Sequence, residues 1–261
     1  MLLATWNVNS LNARMPRVVD WLPSARPDVL CLQETKLADD AFPFDEFAAL
    51  GYESVHHGQG QWNGVAILSR VGIADPVAGF DDDGPADPDA RVVTATCGGI
   101  RVTSVYVPNG RDLADDHYRY KLDWFERLGA MLAEKSSPSD DIVVCGDFNV
   151  APEDRDVYAI ADFENATHVS APERAALAQL EAWGLQDVFR QAYPDDDQLF
   201  SYWDYRKGMF HMHKGIRIDL ILASRSVADR VSFSLVDRNA RKGSKPSDHA
   251  PVLAVIDPGD T

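Results

Sequence analysis

This chain is short of cysteine, of cationic charge and of long apolar runs, and each shortage closes off a class of answer. Only three cysteines occur, Cys31, Cys97 and Cys145. Their odd number and wide spacing argue against a disulfide framework or a cysteine-ligated zinc site. Cys31 and Cys145 lie inside apolar strand-like runs, so buried, unreactive thiols and a reducing cytoplasm are expected. No apolar run approaches the roughly 18 residues of a membrane span. The N-terminus lacks a basic leader and a cleavage site, so no signal peptide is expected. No long linker, low-complexity tract or nameable repeat interrupts the 261 residues.

Lys and Arg number 25 against 41 Asp and Glu, a net charge of −16. Taken alone, that balance argues against a nucleic-acid partner, because phosphate binding leaves a basic footprint. The distribution weakens the objection. Acid collects in loop-like stretches: Asp81-Asp82-Asp83, Asp87 to Asp89, Asp112 to Asp116 and Asp195-Asp196-Asp197. Base collects later, at Arg206-Lys207, Lys214, Arg217 and Arg238 through Lys245. A locally basic face on an acidic protein is one reading; solvated charge that keeps the protein soluble is the other.

Against these absences stand four polar clusters, each at the end of an apolar, strand-like run. They are Asn7 after Leu2 to Trp6, Gln33-Glu34-Thr35 after Val29 to Leu32, Gly146-Asp147-Phe148-Asn149 after Ile142 to Cys145, and Ser247-Asp248-His249 before Ala250 to Leu253. Strand ends in layered α/β proteins converge on one edge, so these distant residues can share a cleft. Three carboxylates, two amides and a histidine there would suit a hard cation with an acid/base partner, the equipment for metal-assisted phosphate-ester hydrolysis.

Further strands are expected at Gly64 to Ser69, Leu199 to Trp203, Arg217 to Ala223, Val231 to Val236 and Pro251 to Ile256. Arg91 to Thr96 and Ile100 to Val107 flank Gly98-Gly99 as a hairpin. Helices are expected over Asn12 to Trp21, over His117 to Lys135 from the spacing of Tyr118, Leu122, Phe125 and Leu132, and over Glu173 to Trp183, stopped by Gly184. Many strands with few helices between them imply an α/β fold of two packed sheets with helices outside. Chemistry near both chain ends implies a single domain over residues 1–261.

The clusters belong to a longer ordered set: Thr5-Trp6-Asn7-Val8-Asn9, Leu32-Gln33-Glu34-Thr35-Lys36, Gly64-Val65-Ala66-Ile67, Tyr106-Val107-Pro108-Asn109-Gly110, Gly146-Asp147-Phe148-Asn149, Trp203-Asp204-Tyr205-Arg206, Arg217-Ile218-Asp219 and Ser247-Asp248-His249-Ala250-Pro251. Any one tetrapeptide is weak evidence; eight in order are not. The set resembles the endonuclease/exonuclease/phosphatase superfamily. Within it, the chain is most similar to the exonuclease III-type apurinic/apyrimidinic (AP) endonucleases, the bacterial exodeoxyribonuclease III type. The resemblance implies a four-layered α/β sandwich, with two mixed sheets flanked by helices.

Glu34 is the best metal ligand on its own merits, because a carboxylate at an apolar strand end is costly unless a cation compensates it. The resemblance makes it the principal Mg²⁺ ligand, with Mn²⁺ able to substitute. Asp248 and Asn9 stand nearby, and Asn7, Asp147 and Asn149 complete the wider set. Asp147 and Asn149 are two apart, so on an extended segment they point the same way; an Asx-type turn after a strand reads equally well. The resemblance gives Asp147 the attacking water and Asn149 the non-bridging phosphate oxygens, with Asn7 holding the carboxylate network. Of the seven histidines, only His249 has this context. An imidazolium there would neutralise charge developing on phosphate, and the resemblance supplies Asp219 as its orienting carboxylate. His56, His57, His211 and His213 are expected at the surface or substrate edge.

Tyr106 would place a phenol on the scissile phosphate, with Asn109 and Arg111 as further substrate contacts; a packed strand tyrosine is the alternative. The resemblance implies that Tyr202, Trp203 and Ile218 line a pocket for a flipped-out abasic sugar; Arg206 would meet phosphate, and aromatic core packing competes for the aromatic residues. Ile216 stands where some relatives carry a large aromatic.

The implied function is a Mg²⁺-dependent DNA repair nuclease that hydrolyses the phosphodiester 5′ to an abasic site. The same site would trim duplex ends 3′→5′ and remove 3′-phosphates. The implied partner is double-stranded DNA with abasic sites or blocked 3′ ends, with no membrane and a monomer sufficient. Two other classes stay open. A phosphodiesterase or phosphatase of the same fold could act on RNA or a small phosphate ester, and steep salt dependence of duplex binding would separate it. A non-catalytic binding module would be expected to lose residues such as Glu34, Asp147, Asp219 or His249, and this chain retains all of them.

Overall fold

The computed structural model describes residues 1–259. The chain opens with β1 (Leu2–Asn7), α1 (Leu11–Ala25), β2 (Val29–Gln33), α2 (Phe44–Ala49), β3 (Glu53–His57) and β4 (Val65–Ser69). It then crosses to β5 (Ala74–Ala78), β6 (Val92–Cys97), β7 (Ile100–Tyr106), α3 (Asp116–Lys135) and β8 (Ile142–Asp147). The last third holds α4 (Ala171–Trp183), β9 (Leu185–Asp187), α5 (Val188–Ala192), β10 (Asp219–Ser224), α6 (Arg225–Ala228), β11 (Val231–Val236) and β12 (Val252–Ile256).

Two six-stranded sheets form, in the orders β11-β12-β1-β2-β4-β3 and β5-β6-β7-β8-β10-β9. Each has one parallel pair, β1 with β2 and β7 with β8, and every other pairing is antiparallel. The two sheets therefore repeat one topological pattern with no matching repeat in sequence. Both parallel pairs end on the same edge of the sandwich, and the polar clusters sit there.

The central strands are buried on both faces, which accounts for their unbroken apolar runs. In β2, Val29 and Cys31 face the other sheet, while Leu30 and Leu32 face α1 and α2. In β8, Val143 and Cys145 point between the sheets, and Ile142 and Val144 meet Phe125, Leu128 and Leu180 of α3 and α4. The result is four layers, helix–sheet–sheet–helix, as the resemblance implied. All three cysteines are free and lie in the core between the sheets, Cys97 with the expected pair.

Local chemistry fits the elements. Gly98 and Gly99 both take positive φ, 56° and 86°, and close Cys97 onto Ile100 in a two-residue hairpin. Helix α4 starts with a Ser170–Glu173 capping box and stops at Gly184. Helix α1 runs longer than expected and contains both Pro16 and Pro23.

Leu199 to Trp203 is not a strand. Tyr202 makes single bridges to Ile216 and to His249. Ser201 and Tyr202 bond the Ile216 carbonyl, while the Trp203 N–H bonds the Asp248 carbonyl and the Ser201 carbonyl accepts from Ala250. The segment is a tie between the loops that precede β10 and β12, too briefly paired on either side to form a ladder. Conversely, β3, β5 and β9 carry little sequence signal. Strand β5 is an exposed edge interrupted by Pro76, a residue tolerated only at such edges.

The acidic loop 81–90 is not merely solvated charge. Asp82 pairs with Arg127 through two bonds of 2.7 Å. Asp87 accepts from Tyr120 and Trp124, and Asp89 from Arg91. The loop is strapped across α3. No helix among the described residues is long and apolar enough to cross a membrane.

Candidate active site

Register within each sheet assembles one half of the site. Asn7 ends β1 opposite Gln33 of β2, which delivers Glu34 one residue later. Tyr106 ends β7 opposite Asp147 of β8, and Asp147 is itself paired with Asp219 at the start of antiparallel β10. His249 leads into β12, which runs antiparallel to β1.

One amide joins the two sheets. Asn7 Nδ2 donates to Glu34 Oε1 at 2.8 Å and to Asp147 Oδ2 at 2.9 Å, while its Oδ1 accepts the Asn9 N–H at 2.9 Å. Both amide hydrogens are thus engaged by carboxylates from different sheets. Asn9 Nδ2 in turn lies 3.1 Å and 3.2 Å from the two oxygens of Asp248.

His249 is wedged between two acids. Its Nδ1 donates to Asp219 Oδ2 at 2.8 Å, and its Nε2 lies 3.8 Å from Asp147 Oδ2. Burial pushes the imidazole down, but Asp219 and Asp147 outweigh it and raise its pKa to about 10. Asp147 is raised to about 7 by burial and by the charges of Asp219 and Glu34, with His249 pulling the other way. The ring is therefore an imidazolium at neutral pH beside a carboxyl whose proton is loosely held, an acid/base pair suited to phosphate chemistry. Asp219 is fixed from behind, where Ser201 Oγ accepts from the backbone N–H groups of Ile218 and Asp219. The other Asp219 oxygen, Oδ1, is buried without a partner among the described residues.

Backbone strain marks the same residues. Asn9, Glu34, Lys36 and Asn149 all lie at φ between 44° and 53°. Asparagine tolerates this region, so the strain rests on Glu34 and Lys36, at about 1–2 kcal/mol each, and such strain collects at functional sites.

Glu34 shows what the site would hold. Burial raises its pKa, but Lys36 and the Asn7 amide outweigh this and keep the carboxyl below its ordinary value. Lys36 Nζ lies 2.9 Å from Glu34 Oε2 and donates to Asn9 Oδ1 at 2.6 Å. A cation thus already stands between the two groups proposed as ligands. Oxygens of Glu34 and Asp147 lie within 4.8 Å of each other and of the His249 ring. The ring has its Nδ1 engaged by Asp219 and only its Nε2 turned toward Asp147. The oxygens of Glu34 and Asp147, with Asp248 and Asn9 alongside, are hard donors that fit a divalent cation.

Tyr106 sits above Glu34. Burial and the charges of Glu34 and Asp147 push its phenol well above the usual range, so it is an O–H donor. Arg91 packs 4.7 Å from its ring centre and bonds its carbonyl at 3.2 Å. Asn149 is buried; its N–H donates to Asp147 Oδ1 at 2.9 Å and its Nδ2 to the Val107 carbonyl at 2.9 Å. The two-residue spacing is therefore both an Asx-type turn and a site. Asn109 Nδ2 reaches Asn149 Oδ1 at 3.1 Å, so these amides form a pair.

The expected substrate residues divide. Tyr202 is half-buried with its ring 4.8 Å from that of His249, at the mouth of the site. Ile218 is buried with Ala151, Val157 and Ile216 in an apolar cluster against which Tyr202 packs. Trp203 is buried completely, in the core with Phe200 and Ala250. Of the two readings open for Trp203, the structure shows packing: Tyr202 before it is tied to Ile216 and its own N–H to the Asp248 carbonyl, and the indole lies inward. Arg206 is exposed and paired with Asp204 at 2.7 Å, and Arg111 is exposed beside Asn109. Arg217 is interior, held by Asp156 at 2.7 Å and Asp187 at 2.5 Å.

His56 departs from its expected place. It is buried, stacked on Phe42 at 4.3 Å, with Nε2 2.8 Å from Thr35 Oγ1 and Nδ1 2.8 Å from Asp39. It buttresses the turn that carries Glu34. His211 and His213 are exposed as expected. Lys36 was not chosen from sequence, although its place two residues after Glu34 in an irregular turn was the available signal.

Comparison with known proteins follows the geometry. A profile described as "Endonuclease/Exonuclease/phosphatase family" matches residues 4–249. "Exodeoxyribonuclease III" of Haemophilus influenzae is 33% identical over 266 aligned residues, covering 97% of this chain and 99% of the relative. An AP endonuclease from Archaeoglobus fulgidus has a TM-score of 0.95 at 38% identity, over 98% of this chain and 99% of that one. A 3′ phosphatase, NExo, from Neisseria, solved bound to product DNA hairpin, has a TM-score of 0.94 at 39% identity, over 98% and 99%.

Proposed function

Because the chain belongs to the endonuclease/exonuclease/phosphatase family, as a DNA repair nuclease of the exodeoxyribonuclease III and AP endonuclease type, we propose that it cuts the phosphodiester 5′ to abasic sites in duplex DNA. Trimming of 3′ ends and removal of 3′-phosphates complete the proposal. The family is metal-dependent, and Mg²⁺ is the proposed ion, with Mn²⁺ able to substitute.

The observation that carries this reading is the Asn7 bridge, which locks Glu34 to Asp147 while His249 stands 3.8 Å from the same Asp147 oxygen. A cation site, a water-activating carboxylate and an imidazolium are thereby fixed in one network. A divalent cation held by Glu34, with Asp248 and Asn9, would supply Lewis-acid neutralisation of charge on the leaving oxygen. Asp147 positions the attacking water and takes its proton. His249, kept charged by Asp219, and the phenol of Tyr106 face the charge that develops on the phosphate oxygens. Asn149 Nδ2, with one hydrogen held by Val107, offers the other to a non-bridging oxygen, and Asn109 fixes its orientation.

Support for abasic and 3′-blocked DNA comes from the names of the relatives and from Tyr202 with the Ile218 cluster, an apolar wall beside the acid/base pair that a sugar without a base could meet. A site formed within one chain makes a monomer sufficient, and a cytoplasmic location accords with free, buried thiols. The reading treats residues 1–261 as one domain.

The test is hydrolysis of duplex DNA with a 3′-phosphate, with Mg²⁺, with Mn²⁺ and with EDTA, beside Asp147→Ala. Turnover that needs the metal and is lost in the variant supports the assignment. Turnover retained in Asp147→Ala removes Asp147 from its role.

A further inference from the structure

Beneath the amide pair lies a group of buried ionisable side chains with no part in the chemistry above. Asn149 takes φ 52°, and its carbonyl accepts from two side chains: Lys121 Nζ at 2.7 Å and His168 Nδ1 at 2.6 Å. A carbonyl can only accept, so His168 carries its proton on Nδ1. Lys121 projects from the second turn of α3 and is completely buried. Its ammonium also lies 3.4 Å from the Asn109 carbonyl and pairs with Glu173.

Glu173, buried in the first turn of α4, is saturated in turn. It accepts from Thr167 Oγ1 at 2.6 Å, from the His168 N–H at 3.0 Å, and from Ser170 N and Oγ at 3.1 Å and 2.6 Å. This one ion pair therefore connects α3, α4, the loop carrying Asn109, the turn carrying Asn149 and the loop carrying His168. A buried ion pair is poor value as a stabiliser, since apolar residues of the same volume often do as well or better. What it does here that apolar packing cannot is aim an ammonium at two particular carbonyls, those of the residues that form the amide pair.

We propose that Lys121, held by Glu173 and joined by His168, is a positioning residue that sets the Asn109–Asn149 amide pair against the scissile phosphate. The proposal rests on the reading of Asn149 as a phosphate contact. Lys121 touches no reacting atom; it acts through Asn149.

That indirectness supplies the test. Lys121→Met, Lys121→Arg and His168→Ala are made in the wild-type chain and in Asn149→Ala, and kcat and KM are measured on a duplex with one abasic analogue. Lys121→Met should lower kcat by about 10- to 100-fold, the usual loss when a supporting group behind a reactive site is removed, with KM little changed. Lys121→Arg should restore most of it. In the Asn149→Ala background the Lys121→Met loss should vanish, because the residue through which it acts is gone. Should Lys121→Met not fold, His168→Ala carries the same test: a smaller loss of kcat in the wild type and none in Asn149→Ala. Equal losses in both backgrounds, or no loss in either, overturn the proposal and leave the clamp a feature of folding only. A wild-type chain with no activity on DNA would instead remove the underlying reading, and this proposal with it; wild-type activity indifferent to Asn149→Ala would remove the Asn149 role and the clamp's role, and leave the nuclease reading standing.

Discussion

At the scale of single residues, His249 is decisive because its neighbours set its charge. The pKa of about 10 follows from Asp219 and Asp147 outweighing burial. Activity that needs Asp147 ionised and the imidazolium intact should rise as pH passes about 7 and fall as it passes about 10. Asp219→Asn removes the carboxylate with the stronger hold on the ring, so the alkaline limb of kcat should move down toward the ordinary histidine value, and kcat at neutral pH should drop. A pH–rate profile of both forms checks this. The sign for stability is the same: a raised histidine stabilises the fold below its unfolded value, and that contribution is lost as pH rises through about 10. Asp147 behaves oppositely. Burial beside Asp219 and Glu34 raises its pKa to about 7, so the carboxylate is strained by its neighbours. Asp147→Asn should cut kcat by about 10²- to 10⁴-fold, the range for loss of a general base. Its melting temperature should hold or rise, because function and stability are opposed at such a site. Asp147 and His249 drew notice in the sequence as charged groups at the ends of apolar strands, although an Asx-type turn read equally well for Asp147, and Asp219 came only from the family resemblance. The places of Trp203 and His56 were not legible. An aromatic flanked by polar residues reads alike for a pocket or a core, and His56 is buried because Thr35, far from it in sequence, takes Nε2 while Phe42 stacks on the ring.

At the scale of elements, two features hold the catalytic edge. Gly146 in β8 has φ 150°, and a Cβ there would come within 1.9 Å of the Val105 carbonyl of β7. Gly146→Ala should therefore force β7 and β8 apart beside Tyr106 and Asp147, costing at least the 1–3 kcal/mol typical of overpacking, about the upper end of that range. Urea unfolding measures it. Arg217, buried just before β10, is clamped by Asp156 and Asp187. Arg217→Met leaves Asp156 with Arg190 as its remaining arginine and strips the ion pair from Asp187, so a loss of about 3 kcal/mol, the lower end for a broken buried pair, is expected, with no rescue by lysine, which cannot bond both. The strands of the core were readable from their apolar runs, and the two-glycine hairpin from its turn residues. The segment 199–203 was not, because the same alternation serves a strand and a two-sided tie. Strands β3, β5 and β9 stayed hidden because edge strands need only one neighbour and few apolar residues.

At the scale of the whole molecule, two sheets with one topological pattern bring the ends of their parallel pairs to a single edge, and Asn7 joins them there. Charge is arranged around that edge more than the net −16 suggests. The acids of loop 81–90 are bonded to α3, and Arg217 and Arg241 are interior. Lys242 and Lys245 are exposed, a few residues before Asp248. If they meet the DNA backbone, replacing each with glutamine should weaken duplex binding and reduce the salt slope by about 1; a salt titration of both variants decides it.

The central claim is that this edge hydrolyses the phosphodiester on the 5′ side of a missing base. The measurement is incision of a labelled duplex carrying one tetrahydrofuran analogue, which cannot undergo β-elimination, with Mg²⁺ and with EDTA. A metal-dependent cut immediately 5′ to the analogue, absent in Asp147→Ala, is the expected result. An uncut duplex, with the same protein hydrolysing only RNA or a small phosphate ester, would contradict it.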